Sequence, residues 1–245
     1  MELDKIYNMD AFEGMKQIPN DSVDMVLTDP PYGTTRNSWD TPIDLDEFWR
    51  EIKRVIKPGA AVLMFSQMPF TATAVISNPK MFRYEWIAEK VNATGFLNSH
   101  RMPLKCHENI LVFYDKSPVY NPQFCHGKPY KIKRGHDSSN YGKQSLNETE
   151  NKSGKRYPRD VLKVSWRQNY ARTFHPTQKP VSLCEYLIKT YTNEGATILD
   201  PFMGSGTTAV AAMNQGRHFI GFENNAEYYN RAERRIKSQR AIEVQ

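Results

Sequence analysis

Two short stretches of this chain carry residue types that could do chemistry together. The first is Asp29-Pro30-Pro31-Tyr32. Its prolines restrict the backbone, so the Asp29 carboxylate and the Pro30 carbonyl can face one point. Both only accept hydrogen bonds, and an aromatic amine offered to them would donate two. Such bonds would localise electron density on the nitrogen, and the neighbouring Tyr32 ring could stack on a base. The second stretch is Asp200-Pro201-Phe202-Met203-Gly204-Ser205-Gly206-Thr207-Thr208. Glycine lets a backbone approach a ligand closely, and the amides that open a helix attract an anionic group. This loop has neither the lysine of a phosphate loop nor the third glycine of the dinucleotide fingerprint. Glu223 closes the next apolar run, where an acid can take ribose hydroxyls. Strand, glycine loop, helix, strand and acid in that order suggest a nucleoside-bearing cofactor. The plain structural alternatives are a strand-end turn with a capping Asp29 and a tight glycine turn followed by a surface Glu223.

The elements that must position these residues are legible in the hydrophobic pattern. Val23 to Thr28 is a short β-branched run that stops at the Pro-Pro turn, as a buried strand would. Leu45, Phe48, Trp49, Ile52, Val55 and Ile56 repeat at helical spacing until Lys57-Pro58-Gly59. Ala60–Ser66, Tyr84–Ala88, Asn109–Tyr114, Ala196–Leu199 and His218–Phe222 read as further strands. Phe70–Ser77, Val181–Tyr191, Ala209–Gln215 and Glu227–Gln239 read as helices. Strands alternating with helices imply a doubly wound, mostly parallel sheet, and such sheets bind ligands outside the carboxyl ends of their strands. Asp29–Tyr32, Asp200–Thr208 and Glu223 all fall at such ends.

Charge singles out one segment. From Asp115 to Arg172 there are thirteen Lys or Arg against five Asp or Glu. That excess of eight is larger than the whole-chain net charge of +6, so the rest of the chain is slightly acidic. A basic segment on a near-neutral body is the footprint of a phosphate-backbone binder, and equally of a solvated lysine-rich loop. The same segment loses both apolar periods, which divides the chain into a catalytic and cofactor-binding part, 1–114 with 171–245, and an insertion, 115–170. With 39% hydrophobic and 24% charged residues, wholesale disorder is excluded. No apolar run is long enough to span a membrane, and the amino terminus has no signal-peptide shape. Cys106, Cys125 and Cys184 are odd in number and scattered, which suits a reducing cytosol and gives no zinc pattern, so a cytoplasmic protein without metal is expected.

Asp29-Pro30-Pro31-Tyr32 and the Asp200–Gly206 loop together resemble the two signature motifs of the DNA amino-methyltransferases. The order of catalytic motif, basic insertion and cofactor loop is similar to their beta class. Asn8-Met9-Asp10-Ala11-Phe12, His175-Pro176-Thr177-Gln178-Lys179-Pro180 and the block Trp86–Tyr114, with Gly95-Phe96, Leu104 and His107-Glu108-Asn109-Ile110, extend the resemblance over all but about 115–170.

That resemblance implies a seven-stranded, Rossmann-like sheet and S-adenosylmethionine as methyl donor, with S-adenosylhomocysteine as product. It implies that Asp29, Pro30, Pro31 and Tyr32 hold and stack the target base, Asp29 also facing the cofactor. Phe202, Gly204, Ser205, Gly206 and Thr207, after Asp200, would cradle the methionine part. Glu223 with Asn224 would take the ribose, and Asp10 and Ala11 the adenine. His175 belongs beside the methionine end or is a packed loop histidine. Lys179 is a direct contact or a surface cation near the cofactor carboxylate.

Lys128, Lys131, Lys133, Arg134, Lys155, Arg156 and Arg159, set among Tyr130, Tyr141, Tyr157 and Trp166, form the expected DNA-recognition set. The expected reaction is methyl transfer to N6 of adenine in DNA after base flipping. The alternatives are N4 of cytosine and, from another class, a catalytically silent DNA-binding module. A homodimer and a cognate restriction endonuclease are the partners implied, in a bacterial or phage-type setting.

Overall fold

The computed structural model describes residues 1–33, 40–133, 148–164 and 178–243. Along the chain run β1 (Lys5–Tyr7), α1 (Ala11–Met15), β2 (Val23–Thr28), α2 (Leu45–Val55), β3 (Ile56–Ser66), α3 (Phe70–Ser77), β4 (Phe82–Thr94) and β5 (Lys105–Phe113). The basic segment holds β6 (Cys125–His126), β7 (Tyr130–Lys133), β8 (Glu148–Asn151) and β9 (Lys155–Arg156). Then follow β10 (Val161–Val164), α4 (Val181–Tyr191), β11 (Thr197–Asp200), α5 (Thr207–Asn214), β12 (His218–Phe222) and α6 (Ala226–Glu243).

Two compact units result, one of residues 1–121 with 160–245 and one of residues 122–159. In the larger unit, strands β1-β12-β11-β2-β3-β5-β4-β10 lie side by side in one sheet. All neighbours are parallel except that β5 runs antiparallel to both β3 and β4. The architecture is the expected Rossmann-like one. The sheet has eight strands among the described residues rather than the seven expected. Two strands were not foreseen: β1, three residues long, and β10, which pairs with β4 at Val161↔Ile87 through Val164↔Lys90. The alternating signal of so short a run is lost inside a lysine-rich stretch.

Both faces of the sheet are covered, and for that reason its central strands read as continuous apolar runs. Met25, Leu27, Ala61, Leu63 and Phe65 face α4, α5 and α6, whereas Val26, Val62 and Met64 face α1, α2 and α3. Helix α2 shows how sequence sets an element. The Asp44 carboxylate accepts from the amides of Asp46 and Glu47 at 2.9 and 3.0 Å, and Phe48, Trp49, Ile52 and Val55 are buried along one stripe. Acids sit in its first turn and Lys53 and Arg54 in its last, matching the helix dipole.

The feature that positions the site is the pairing of β2 with β11. They are parallel neighbours, with Met25 opposite Ile198 and Val26 opposite Leu199. Their carboxyl ends, Thr28-Asp29 and Asp200, therefore emerge side by side although far apart in the chain. From there β2 leads to β3 on one side and β11 to β12 on the other, which makes this pair the switch point of the sheet.

The smaller unit is two short antiparallel pairs, β6 with β9 and β7 with β8. Residues 115–121 and 160–164 of the expected insertion belong to the larger unit. Asn121, for example, donates to the carbonyls of Lys189 and Thr192 at the end of α4. No helix among the described residues is long and apolar enough to cross a membrane.

Candidate active site

A cleft of about 770 Å³ opens at the switch point. Asp29, Pro30, Pro31 and Tyr32 line one part of it. Asp200, Phe202, Gly204, Ser205 and Thr207 line another, with Asp10, Ala11, Glu223 and Asn224 beside them. Residues distant in the chain thus converge on one cavity.

The loop after β2 is held by its own donors. Asp40, itself buried, accepts the amides of Tyr32 and Gly33 at 2.7 and 2.8 Å. The Tyr32 ring stacks on Phe70 of α3, with centroids 5.1 Å apart and planes 30° apart. The Tyr32 hydroxyl donates to Asp29 Oδ1. Lys179 donates to Asp29 Oδ2 at 2.6 Å, and its ammonium lies 3.4 Å from Glu108 Oε2 and 5.1 Å from the centroid of the Phe65 ring. Glu108, on β5, is paired in turn with Lys90 of β4 at 2.5 Å. Asp29 is therefore one end of a charge chain, Asp29–Lys179–Glu108–Lys90.

Lys179 is 8% exposed, which excludes the surface-cation alternative, and its partner is the carboxylate of the catalytic motif. Burial alone would lower its pKa, but the carboxylates of Asp29 and Glu108 outweigh that and raise it, so the ammonium stays charged. Burial raises the Asp29 carboxyl above the usual carboxylate range, with Lys179 and the Tyr32 hydroxyl pulling against it and Glu108 adding to the rise. Glu108 goes the other way: burial would raise it, but its two lysines hold it below its ordinary value.

The loop after β11 is fixed just as closely. Gly204 and Gly206 adopt positive φ, 51° and 76°, and Gly206 opens α5. A Cβ on Gly206 would also meet Ala232 of α6 at 3.2 Å. Glu223 Oε2 accepts the Gly204 amide at 2.9 Å and Oε1 accepts the Asn225 amide at 2.7 Å, so this acid ties the end of β12 to the glycine loop. Arg235 of α6 donates to the Ser205 carbonyl and to the Thr207 hydroxyl, and the Thr207 hydroxyl reaches the Lys179 carbonyl at 3.3 Å. Asp200, 3% exposed, accepts the Phe202 amide at 3.1 Å, and burial pushes its carboxyl up to about 7. Asp10 caps α1 through the amides of Phe12 and Glu13 at 2.8 and 3.2 Å. Gln178 contributes a buried side-chain oxygen without a hydrogen-bond partner to the same cleft.

Residues 23–234 match the family model described as DNA methylase, the N6/N4 methyltransferase family. The chain belongs to the DNA methylase family. It is 29% identical to the type II methyltransferase M1.MboII of Moraxella bovis, over 95% of this chain and 96% of that one. The crystal structure of the M1.HpyAVI–SAM complex is similar at 27% identity and a TM-score of 0.66, covering 95% of this chain and 98% of that chain. The cytosine-N4-specific PvuII DNA methyltransferase shares the fold with a TM-score of 0.69 at 16% identity, covering 96% of this chain and 90% of that chain.

Several residues that line or brace this DNA methylase's cleft were not singled out from sequence. Glu108 stood inside a quoted motif without a role. Lys90, Asp40, Phe70 and Arg235 carried no signal, because their partners are set by strand adjacency and helix packing. His175 and Arg134, with Tyr141 and Trp166, lie outside the described residues. The remaining cations of the recognition set belong to the smaller unit and are exposed. There Lys131 and Lys133 both pair with Glu148, at 2.8 and 3.0 Å. Arg156 lies over the Tyr130 ring and donates to the Lys128 carbonyl, and Lys155 lies 3.9 Å from the centroid of the Phe124 ring.

Proposed function

We propose that this DNA methylase transfers a methyl group from S-adenosylmethionine to N6 of an adenine at a specific DNA sequence, after extruding that base from the duplex. One observation carries the reading: an Asp-Pro-Pro-Tyr strand end and a glycine-loop strand end line a single cleft. The residues fit the donor. Two glycines with positive φ let the loop pass close to a ligand, Glu223 and Asn224 stand at the adjacent strand end, and Gln178 offers an unpartnered buried oxygen. In this reading Phe202, Gly204, Ser205, Gly206 and Thr207 hold the methionine part, Glu223 and Asn224 the ribose, and Asp10 and Ala11 the adenine. Asp200 stands behind the loop and shapes it. When bound, S-adenosylmethionine supplies an electrophilic methyl on a sulfonium centre.

The chain's own task is then alignment and charge. The base amine donates to the Asp29 carboxylate and the Pro30 carbonyl, which orients its lone pair. Its nitrogen becomes cationic as it attacks, and a carboxylate already in place stabilises that charge without reorganising. Lys179 opposes the effect of burial and favours the ionised form of Asp29. Tyr32, backed by Phe70, offers a ring against which the extruded base stacks, offsetting part of the unstacking cost of a few kcal/mol. The basic smaller unit, with Lys128, Lys131, Lys133, Lys155, Arg156 and Arg159, would position phosphates and read base edges. A homodimer and a nuclease sharing the same site belong to the same proposal.

Adenine is preferred because an Asp, rather than the Ser more frequent in cytosine-N4 members, heads the motif. Mass spectrometry of nucleosides from DNA treated with this protein and labelled donor is the test. N6-methyladenine is expected. N4-methylcytosine would move the target to the other amine, and no incorporation would leave a DNA-binding module.

A further inference from the structure

Between β4 and β5 the chain makes a finger that carries exposed apolar side chains at its tip. Phe96 is 66% exposed, Leu97 wholly exposed and Met102 58% exposed. Three exposed apolar side chains at one hairpin end give the kind of surface that marks an interaction site. The tip is nonetheless ordered by its own backbone. Gly95 takes φ 90°, a 3₁₀ turn covers Phe96–Asn98, and the amides of Asn98, Ser99, Arg101 and Met102 bond to carbonyls at Gly95, Phe96 and Asn98 over 2.8–3.1 Å.

The finger grows directly out of the cleft wall. Lys90, Asn92, Ala93 and Thr94, the last residues of β4, line the cleft, and Gly95 follows at once. At its base Thr94 pairs with Lys105, whose ammonium donates to Gln67, another cleft residue. From Thr94 to His107 the sequence has Arg101, Lys105, His100 and His107 and no acid. An apolar tip with a cationic, acid-free surround suits a polyanion with an apolar interior. Charge complementarity of that kind favours duplex DNA over an uncharged apolar partner.

We propose that this finger is a wedge for duplex DNA: Phe96 and Leu97 enter the base stack beside the cleft and occupy the space vacated by the extruded base. Apolar side chains inserted between base steps are a known way to unstack DNA, and His100, Arg101 and Lys105 would meet the flanking phosphates. The proposal rests on base extrusion as read above. It adds that the chain itself fills the gap, so that the open duplex is not left with unstacked neighbours.

The experiment uses a duplex carrying the site mapped by sequencing modified bases from an expressing host. For the fluorescence readings the target position holds a base analogue, 2-aminopurine for adenine or pyrrolocytosine for cytosine; turnover is measured on the same duplex with the natural target base. Because both residues are exposed, the double variant F96A/L97A should melt at the wild-type temperature and bind S-adenosylmethionine unchanged. On the matched duplex its kcat/KM should fall about 10–100-fold and its fluorescence rise should shrink. On a duplex with a mismatch opposite the target, where opening is already cheap, most of that loss should return. Wild-type fluorescence and turnover in the variant on the matched duplex would overturn the wedge while leaving base extrusion standing. So would a loss that the mismatch does not restore. Absence of any fluorescence rise with the wild-type protein would instead overturn base extrusion, and the wedge with it. A dimer seen by sedimentation that the variant dissolves without loss of turnover would assign the tip to a second copy and overturn the proposal.

Discussion

Lys179 in the cleft and Lys131 in the smaller unit make ion pairs of nearly the same length, 2.6 Å to Asp29 and 2.8 Å to Glu148. Their settings differ: the Lys179 side chain is 9% exposed and that of Lys131 57%. A pair in water is screened and exchanges its partners easily, so it contributes little. A pair removed from water has nowhere else to go, and losing one member leaves an uncompensated charge. The lesson is that pair length says little about function. Burial fixes the orientation of Asp29, whereas exposure leaves Lys131 and Lys133 free to trade Glu148 for a phosphate.

The strongest break of that contrast is Asp29→Ala. It should lower kcat about 10²–10³-fold, since it deletes the acceptor aimed at developing charge, while cofactor affinity measured by calorimetry stays within about threefold. Lost cofactor affinity would move Asp29 from the base to the donor. Next comes Lys179→Met. With the ammonium gone, burial and Glu108 act on Asp29 unopposed, and its pKa rises further. Activity needs the ionised form, so the acid limb of the kcat–pH profile should move up by about 1–2 units. Lys179→Arg should restore part of the shift. An unmoved profile with reduced kcat would reduce Lys179 to packing.

A third test concerns Asp200, buried at the neighbouring strand end. Burial raises its carboxyl to about 7, so between roughly pH 4 and 7 the folded chain holds its proton where the unfolded chain has released it. Stability should therefore fall as pH rises through that window, by about 2–3 kcal/mol between pH 5 and pH 8. Asp200→Asn has no proton to lose and should flatten the dependence of the urea midpoint on pH. Equal slopes in both proteins would place the titration elsewhere. The smallest effect belongs to the exposed pairs. Lys131→Ala with Lys133→Ala should change stability by less than about 1 kcal/mol, yet make the salt dependence of DNA binding shallower by about one unit per lysine that meets a phosphate. A large stability loss would show that these lysines are bound into the hairpin, and the contrast with Lys179 would fail.

Much of this arrangement is legible in the chain before it folds. The strands around Val23–Thr28 and Thr197–Asp200 have apolar centres because helices cover both faces, and an Asp-Pro pair follows or ends each. Strands β1 and β10 escaped notice for opposite reasons: one is three residues long, the other lies among lysines. The bounds of the smaller unit, residues 122–159, are narrower than the composition shift at 115–170, because polar residues such as Asn121 dock on the larger unit through their side chains.

Residue types and their order were enough to mark Asp29–Tyr32, Asp200–Thr208 and Glu223 as strand-end clusters, because local backbone chemistry writes itself into short patterns. Only the folded chain decided that Asp29 meets Lys179, 150 positions away, and that Glu108 and Lys90 continue the chain of charges. Those partnerships depend on which strands lie side by side and on how much water the cleft excludes, neither of which is a property of neighbouring residues.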